Sequence, residues 1–412
     1  MAVRRTPVVC LRRRSLRDGR GGSGYVLSVL ACQRSAGAMD VSRQATPYDL
    51  RVTDRSGPWF VVAMVVGATV LAYDVAHNAT VPMLADRPPL SSPVFILRDL
   101  CLAVSASAVV AGIARWRPRP ATGLERIDLV SRPLPPILAP VAAAVAAAVL
   151  GVLMGSRHGF SLLAMEDGIV EGLTAVLLLA PVPLIAVRAV ASVRRRALLT
   201  AALLAAMAGG LFVMGMEEIS WGQRILGFTT PATLAESNTQ GEANLHNVAT
   251  DKLEIIFYAG TALGFASLAL VRQRLGTIGR RAAGAVLPSM PVLLVFAPAA
   301  ALNYDVWNVA PVQFGFWLTC AALARMAAAD AMGLPRRRDR RLAAMVLLVC
   351  VSLQLGLLAT GREMLRLWDA TEYRELFTAA ALAAYAWSLH PRATSRSGEA
   401  AVSARRGRAL TS

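Results

Sequence analysis

The run RRRALLTAALLAAMAGGLFVMGMEE, residues 194–218, constrains this chain more than any other feature. About twenty nearly uninterrupted apolar residues match the length of a helix crossing a hydrocarbon layer of roughly 30 Å. Three arginines precede the run and two glutamates close it. With 55% hydrophobic residues, 17% charged residues and a mean hydropathy of +0.50 over 412 residues, an ordinary soluble domain is excluded.

The same reading along the chain gives ten predicted spans, at 58–77, 94–115, 135–155, 167–190, 197–217, 254–272, 283–303, 309–331, 342–360 and 375–390. The fold expected is an all-α polytopic transmembrane helix bundle of about ten spans. Three spans carry unusual residues. One opens with Arg98 and Asp99, one holds Pro288, Pro291 and Pro298, and one follows a charged segment. Helices in lipid tolerate these when neighbouring helices satisfy the groups concerned.

Basic residues test the span count, because a wrong count scrambles the side on which they fall. With the N-terminus placed in the cytoplasm, all but Arg87, Arg98, Arg157, Arg224, Lys252, Arg362, Arg366 and Arg374 of the 43 Lys and Arg residues fall on the inner side. Both termini are therefore expected in the cytoplasm. The net charge of +17 is spread over short interhelical clusters, which speaks against a nucleic-acid partner and for topology. Membrane lipids are the expected surroundings, and a bacterial plasma membrane the expected location.

This gives three parts: a basic segment 1–57, expected to be disordered and cytoplasmic, a transmembrane helical domain 58–390, and a basic cytoplasmic tail 391–412. The first 38 residues lack the apolar core and small-residue cleavage site of a signal peptide. Met39 opens a more ordinary leader, so Met1 and Met39 are both candidate starts, with 1–38 then an artefact of the gene model. Cys101, Cys320 and Cys350 lie in separate spans without metal-type spacing and are expected to pack as small apolar residues.

Once orientation is fixed, the unusual polar residues gather on the outer face. Tyr73 and Asp74 follow the first span, and Glu166, Asp167 and Glu171 open the fourth. Glu217 and Glu218 close the fifth, Asn303 to Asp305 follow the seventh, and GREMLRLWDATEYRE precedes the tenth. Asp167 and Glu171 share a helix face, with Glu171 one turn deeper, where an ionisable group is costly and marks a functional candidate. Glu217 and Glu218 project about 100° apart, so one is expected to face the bundle and the other the loop. Trp221 reads most simply as an interfacial anchor.

In NTQGEANLHN, residues 238–247, Glu242 and His246 stand four apart, a spacing that lets a carboxylate orient an imidazole or share a metal with it. Asp167, Glu171, Glu218, Glu242 and His246 are the candidate ligands of a divalent cation. Glu171, Glu217, Glu218, Glu242 and His246 are the candidate acids, bases or nucleophile activators, with Arg224 positioned to neutralise a phosphate.

The blocks MEDGIVEG, GMEEISWGQRILGFTTP and NTQGEANLHN together resemble a family of uncharacterised bacterial multi-pass membrane proteins with EEISWGQR-type and N-x-Q-x-E-x-N-L-H-N-type blocks. The likeness covers Glu166 to Asn247. It implies that the blocks form one site and names no reaction.

Three functions fit this inventory: an enzyme at the outer leaflet acting on a lipid or lipid-linked substrate, a transporter or proton-coupled carrier using embedded carboxylates, and a scaffold without chemistry. The enzyme is favoured, because the polar groups crowd one face and no inverted repeat is visible. Its architecture loosely resembles membrane glycosyltransferases that use polyprenyl-linked sugars. The orientation is directly testable. Reporters fused after Arg196 and after Arg341 should be active as cytoplasmic fusions, and one inserted near Thr230 should report the opposite side; a cytoplasmic signal at Thr230 would refute the arrangement.

Overall fold

The computed structural model describes residues 9–17, 23–31, 56–77, 87–89, 92–116, 129–165, 168–230, 232, 250–275, 286–328 and 337–391, without the side chains of 9–17, 23–31, 77, 224–225 and 250–253. Met39, the rest of the leader from 32 to 55, and the tail 392–412 lie outside the described residues. Two units are present, Met1–Thr53 and Asp54–Ser412. In the first, β1 (Val9–Arg17) pairs antiparallel with β2 (Ser23–Ala31), Val9 opposite Ala31 and Arg17 opposite Ser23.

The second unit is helical. Its elements are α1 (Gly57–His77), α2 (Pro93–Arg115), β3 (Leu129–Ser131), α3 (Leu138–Gly155), α4 (Arg157–Leu163), α5 (Ile169–Leu179), α6 (Val182–Arg194) and α7 (Leu198–Glu218). They continue with α8 (Gln223–Leu226), α9 (Thr250–Arg274), α10 (Met290–Ala301), α11 (Ala310–Ala328), α12 (Arg337–Thr360), α13 (Asp369–Ser388) and β4 (Leu389–Pro391). Local chemistry sets several boundaries. Ser92 caps α2 by accepting the Phe95 N–H, with Pro93 at the first helical position, where its missing N–H costs nothing. Ser156 ends α3 and caps α4 through the Gly159 N–H at 2.9 Å. Pro181 divides α5 from α6.

A helix stands at each of the ten predicted spans, with α5 and α6 together filling the fourth. Seven helical stretches among the described residues are long and apolar enough to cross a membrane: Gly57–Ala76, Pro93–Arg115, Leu138–Gly155, Ile169–Arg194, Leu198–Glu218, Glu254–Arg274 and Arg337–Glu363. The other three positions hold α10, α11 and α13. The reason lies in where they pack. In the seven, 17–44% of the apolar window is buried, whereas in α10 every residue from Val292 to Ala301 is buried. α11 and α13 likewise turn most of their residues inward, including Gln313, Thr319, Asp369, Thr371, Arg374 and Thr378. Interior helices face protein instead of lipid, so they can be shorter and more polar than perimeter ones. The span expected over 283–303 is a 12-residue helix that starts at Met290, with Ser289 extended just after Pro288 and Pro291 at the second helical position, where its missing N–H costs nothing.

The core joins α10, α3, α12 and α13 through residues such as Leu153, Phe160, Phe296, Tyr304, Phe316, Leu353 and Phe377. Cys320 and Cys350 are buried within it, as their sequence setting suggested. α11 crosses α9 closely, because a Cβ on Gly315 would lie 2.6 Å from the Ala262 Cβ.

The bundle has two unlike ends. At one, arginines reach backbone carbonyls: Arg188 donates to Leu389 O at 2.6 Å and Arg272 to Leu287 O at 2.5 Å. There β3 pairs with β4, Val130 opposite His390, and Arg188 donates to the His390 Nε2 at 2.7 Å. At the other end lie Asp74, Arg98, Asp99, Glu171, Glu217, Glu218, Glu254, Asp305, Gln313, Asp369, Arg374 and Glu375, each near the end of its helix or in the turn beside it.

The α9–α11 crossing makes a packing prediction. Gly315→Val should destabilise the protein by about 1–3 kcal/mol through overpacking, while Gly264→Ala, where the added methyl meets nothing within 4 Å, should leave stability unchanged or slightly raised. Thermal unfolding in detergent reads both; equal midpoints for Gly315→Val and the parent would contradict the close crossing.

Candidate functional site

α7 ends at Glu218, and the chain then reverses through three consecutive left-handed residues, Ser220 (φ 45°), Trp221 (φ 54°) and Gly222 (φ 77°). Only glycine takes this conformation without cost, and each of the other two adds roughly 1–3 kcal/mol of strain. The reversal folds Trp221 back over its own helix. Its indole N–H donates to Glu217 Oε1 at 2.6 Å, and its ring meets Phe212 edge-on, with centroids 6.3 Å apart. Trp221 is thus half-buried against the helix end it follows, where the sequence suggested an anchor at the membrane surface.

Glu217 and Glu218 border one cavity of about 410 Å³. This differs from the expectation that one would face the bundle and the other the loop, and the reason is that the cavity borders a face of α7 wide enough to take adjacent positions, Val213 with Met214 and Glu217 with Glu218. Four helices supply the walls: Thr174 and Leu178 from α5, Val213, Met214, Glu217 and Glu218 from α7, Glu254, Ile256, Phe257 and Tyr258 from α9, and Glu375, Thr378 and Ala379 from α13. The glutamates sit at the helix ends, and the apolar residues lie one or two turns deeper. α7 and α9 face each other across the cavity, with α5 and α13 between them; Val213 and Ile256 line it while remaining 46% and 70% exposed.

Glu171, in the first turn of α5, does not line the cavity, but its charge acts on Glu218, as do those of Glu254, Glu372 and Glu375. Glu218 makes no hydrogen bond or ion pair with any described residue. Of the other predicted residues, Asp167, Glu242 and His246 lie outside the described residues, as does the side chain of Arg224 on α8.

The divalent-cation expectation gains no support. Among the described residues, no group of three or more His, Cys, Asp or Glu side chains holds the geometry of a metal site. The physical reason is that these carboxylates line a wall instead of converging on one point, as a cation drawing ligands to about 2.0–2.6 Å demands. Glu217 is turned to an indole and Glu375 to a phenol.

Behind the cavity lies a buried scaffold that sequence reasoning did not assemble. Tyr258 donates its hydroxyl to Glu375 Oε1 at 2.5 Å. The Arg374 guanidinium lies 4.1 Å from the Tyr258 ring centre, donates from Nη2 to Asp305 Oδ1 at 2.6 Å, and donates from Nε to Leu302 O at 2.7 Å. Thr371 donates to the second oxygen of Asp305 at 2.8 Å. No family model, curated protein or solved structure matches this chain. The site therefore rests on its own geometry.

A second polar cluster fastens α1 and α2 to α11. Arg98 Nη1 donates to Asn308 O at 2.6 Å and pairs with Asp74 at 3.5 Å, while Gln313 donates to Asp99 at 3.1 Å and accepts from Asn303 at 2.8 Å. Arg98 and Asp99, odd within an apolar span, are both buried and partnered. Glu254, Tyr258, Arg374 and Glu375 are the site residues not singled out from sequence. The available signal was spacing: Glu254 and Tyr258 stand four apart at the start of an apolar run.

The Arg374–Asp305 pair is testable. Both residues are almost fully buried, so Asp305→Asn strands a buried cation and should cost about 3–5 kcal/mol. The double variant Arg374→Met/Asp305→Leu should lose less. Thermal unfolding compares them, and a double variant no more stable than Asp305→Asn would argue against the pair.

Proposed function

We propose that this is an integral membrane enzyme whose cavity at the carboxylate end of the bundle binds a lipid or lipid-linked substrate. The single observation that carries the reading is the cavity's build: carboxylates at the membrane-surface end, apolar walls deeper, and exposed wall residues on α7 and α9. Such a cleft suits a molecule with a polar head and a hydrocarbon tail, entering sideways from the bilayer. Ten helices cross the membrane in this reading, with both termini and the arginine end in the cytoplasm of a bacterial cell.

Of the three blocks that carry the family resemblance, GMEEISWGQRILGFTTP supplies Glu217 and Glu218 to this cavity, and MEDGIVEG opens the helix whose Thr174 and Leu178 line it, which supports reading these two as one site. The connection from α7 to α9 carries Arg224, Glu242 and His246, and both helices line the cavity, so these three stay candidate participants. Glu218 is the candidate acid or base. It ends α7 beside the cavity without a hydrogen-bonded partner among the described residues, leaving its oxygens for a headgroup proton. Glu217 and Glu375 are held by Trp221 and Tyr258 and orient the head. An enzyme is favoured over a carrier because the polar groups stay at one end, while the opposite end is closed by arginine–carbonyl bonds and the β3–β4 pair.

The test compares lipid extracts of a deletion strain with strains complemented by the parent protein, Glu218→Gln or Glu375→Gln. The parent should restore the lipid profile, and Glu218→Gln should not, at unchanged protein abundance in the membrane. Full restoration by Glu218→Gln would remove it from the chemistry.

A further inference from the structure

The two buried polar clusters each leave a hydrogen-bonding atom unused, on residues that line one small chamber. Arg374 donates from Nε to Leu302 O and from Nη2 to Asp305 and Thr371, but its Nη1 is buried without a hydrogen-bond partner among the described residues. Asn303 donates from Nδ2 to Gln313 at 2.8 Å, but its Oδ1 is likewise buried without one. An unpaired buried donor or acceptor is costly, the more so on a charged group. Both side chains border a chamber of about 10 Å³ walled by α9, α10, α11 and α13. Tyr258 and Thr378 border this chamber and the larger cavity alike.

We infer that the chamber is a binding site for one water, which accepts from Arg374 Nη1, donates to Asn303 Oδ1 and so joins the two clusters into one buried network. The volume is about what a single buried water needs, and such a water makes two to four hydrogen bonds. The chemistry selects the occupant. A halide accepts from Nη1 but is repelled by an amide oxygen, and a sodium ion takes the oxygen but is repelled by the guanidinium; water alone serves a donor and an acceptor together. Its second hydrogen has acceptors at hand in the hydroxyls of Thr261 and Thr378, which donate to Phe257 O and Arg374 O and keep lone pairs to spare. On one side of the water run Asn303, Gln313 and Asp99, with Arg98 and Asp74 beyond them. On the other, Arg374 lies against Tyr258, whose hydroxyl holds Glu375 at the larger cavity. The water thus links the cluster that fastens α2 and α11 to the wall of that cavity.

The deciding experiment is a crystal structure of the full chain, grown from a lipid phase, at a resolution that shows ordered waters. One peak should lie about 2.7–3.2 Å from both Arg374 Nη1 and Asn303 Oδ1. A chamber without a peak between two well-ordered side chains, or a direct contact of Nη1 with Oδ1, overturns the water site. So does a peak that gains anomalous scattering when chloride is exchanged for bromide, which would make the occupant a halide. Asn303→Leu, which removes the acceptor, tests the link by thermal unfolding in detergent. It should lower the midpoint by about 2 °C or more in the parent, and by clearly less in the Arg374→Met/Asp305→Leu background, where no guanidinium is left stranded. Equal losses in the two backgrounds would overturn the coupling of the clusters. The parent crystal structure decides the water site by itself should Asn303→Leu fold poorly.

Discussion

The buried Arg374–Asp305 ion pair is the interaction on which the carboxylate end of this bundle depends. Asp305 sits in the turn between α10 and α11, and Arg374 on α13, so their 2.6 Å contact ties three interior helices together. A buried ion pair is weak evidence of stability by itself, since desolvation offsets much of its Coulomb attraction. Its consequence is positional. With Nη2 and Nε both spoken for, the guanidinium lies flat against Tyr258, and the Tyr258 hydroxyl in turn fixes Glu375 at the cavity. One charged pair thereby sets the orientation of a cavity glutamate two contacts away.

The interior helices explain how such polarity is tolerated. A charge facing lipid costs at least a few kcal/mol, roughly 2.5–3.5 on insertion scales. In this bundle the perimeter helices α3, α5, α6 and α7 turn apolar side chains outward, and the buried polar residues of α11 and charged residues of α13 stand behind them. Arg98 and Asp99 on α2 follow the same rule, being buried against Asp74 and Gln313. Buried carboxylates, among the described residues, are thus concentrated where protein surrounds them, at one end of the bundle.

Much of this was legible in residue order and much was not. Perimeter spans announce themselves because lipid contact demands long unbroken apolar runs, as in Leu198–Glu218. The length of α10 was not legible, because a helix enclosed by α3, α9, α12 and α13 owes its hydropathy to protein contacts and its start to Pro288 and Pro291. Glu217 and Glu218 stood out as carboxylates closing an apolar run. Glu375 did not, because in YRELF it resembles any wet helix start, and its role comes from Tyr258, 117 positions earlier. Partners so distant in sequence carry no local pattern. The common cavity of Glu217 and Glu218 was hidden for another reason: helical periodicity points them about 100° apart, and only the tertiary arrangement shows a cavity broad enough to take both directions.

One member of the pair is also fixed by the turn that follows. Three residues in the left-handed region, two of them not glycine, do not persist unless surrounding contacts hold them. The contacts are visible: the Trp221 N–H on Glu217 and its ring against Phe212. These contacts offset part of the strain that the turn stores. Glu217 is buried, and a buried carboxylate is expensive in an apolar setting unless donors such as this indole N–H, at 2.6 Å, reach it. The indole satisfies Glu217, which lets Glu217 stay buried beside Glu218, and so keeps two carboxylates at the mouth of a cavity whose depth is hydrocarbon-like. The glutamate pair that ends the apolar run is therefore more than a wet helix end: both members border one wall, and the residue at the centre of the sharp turn holds one of them.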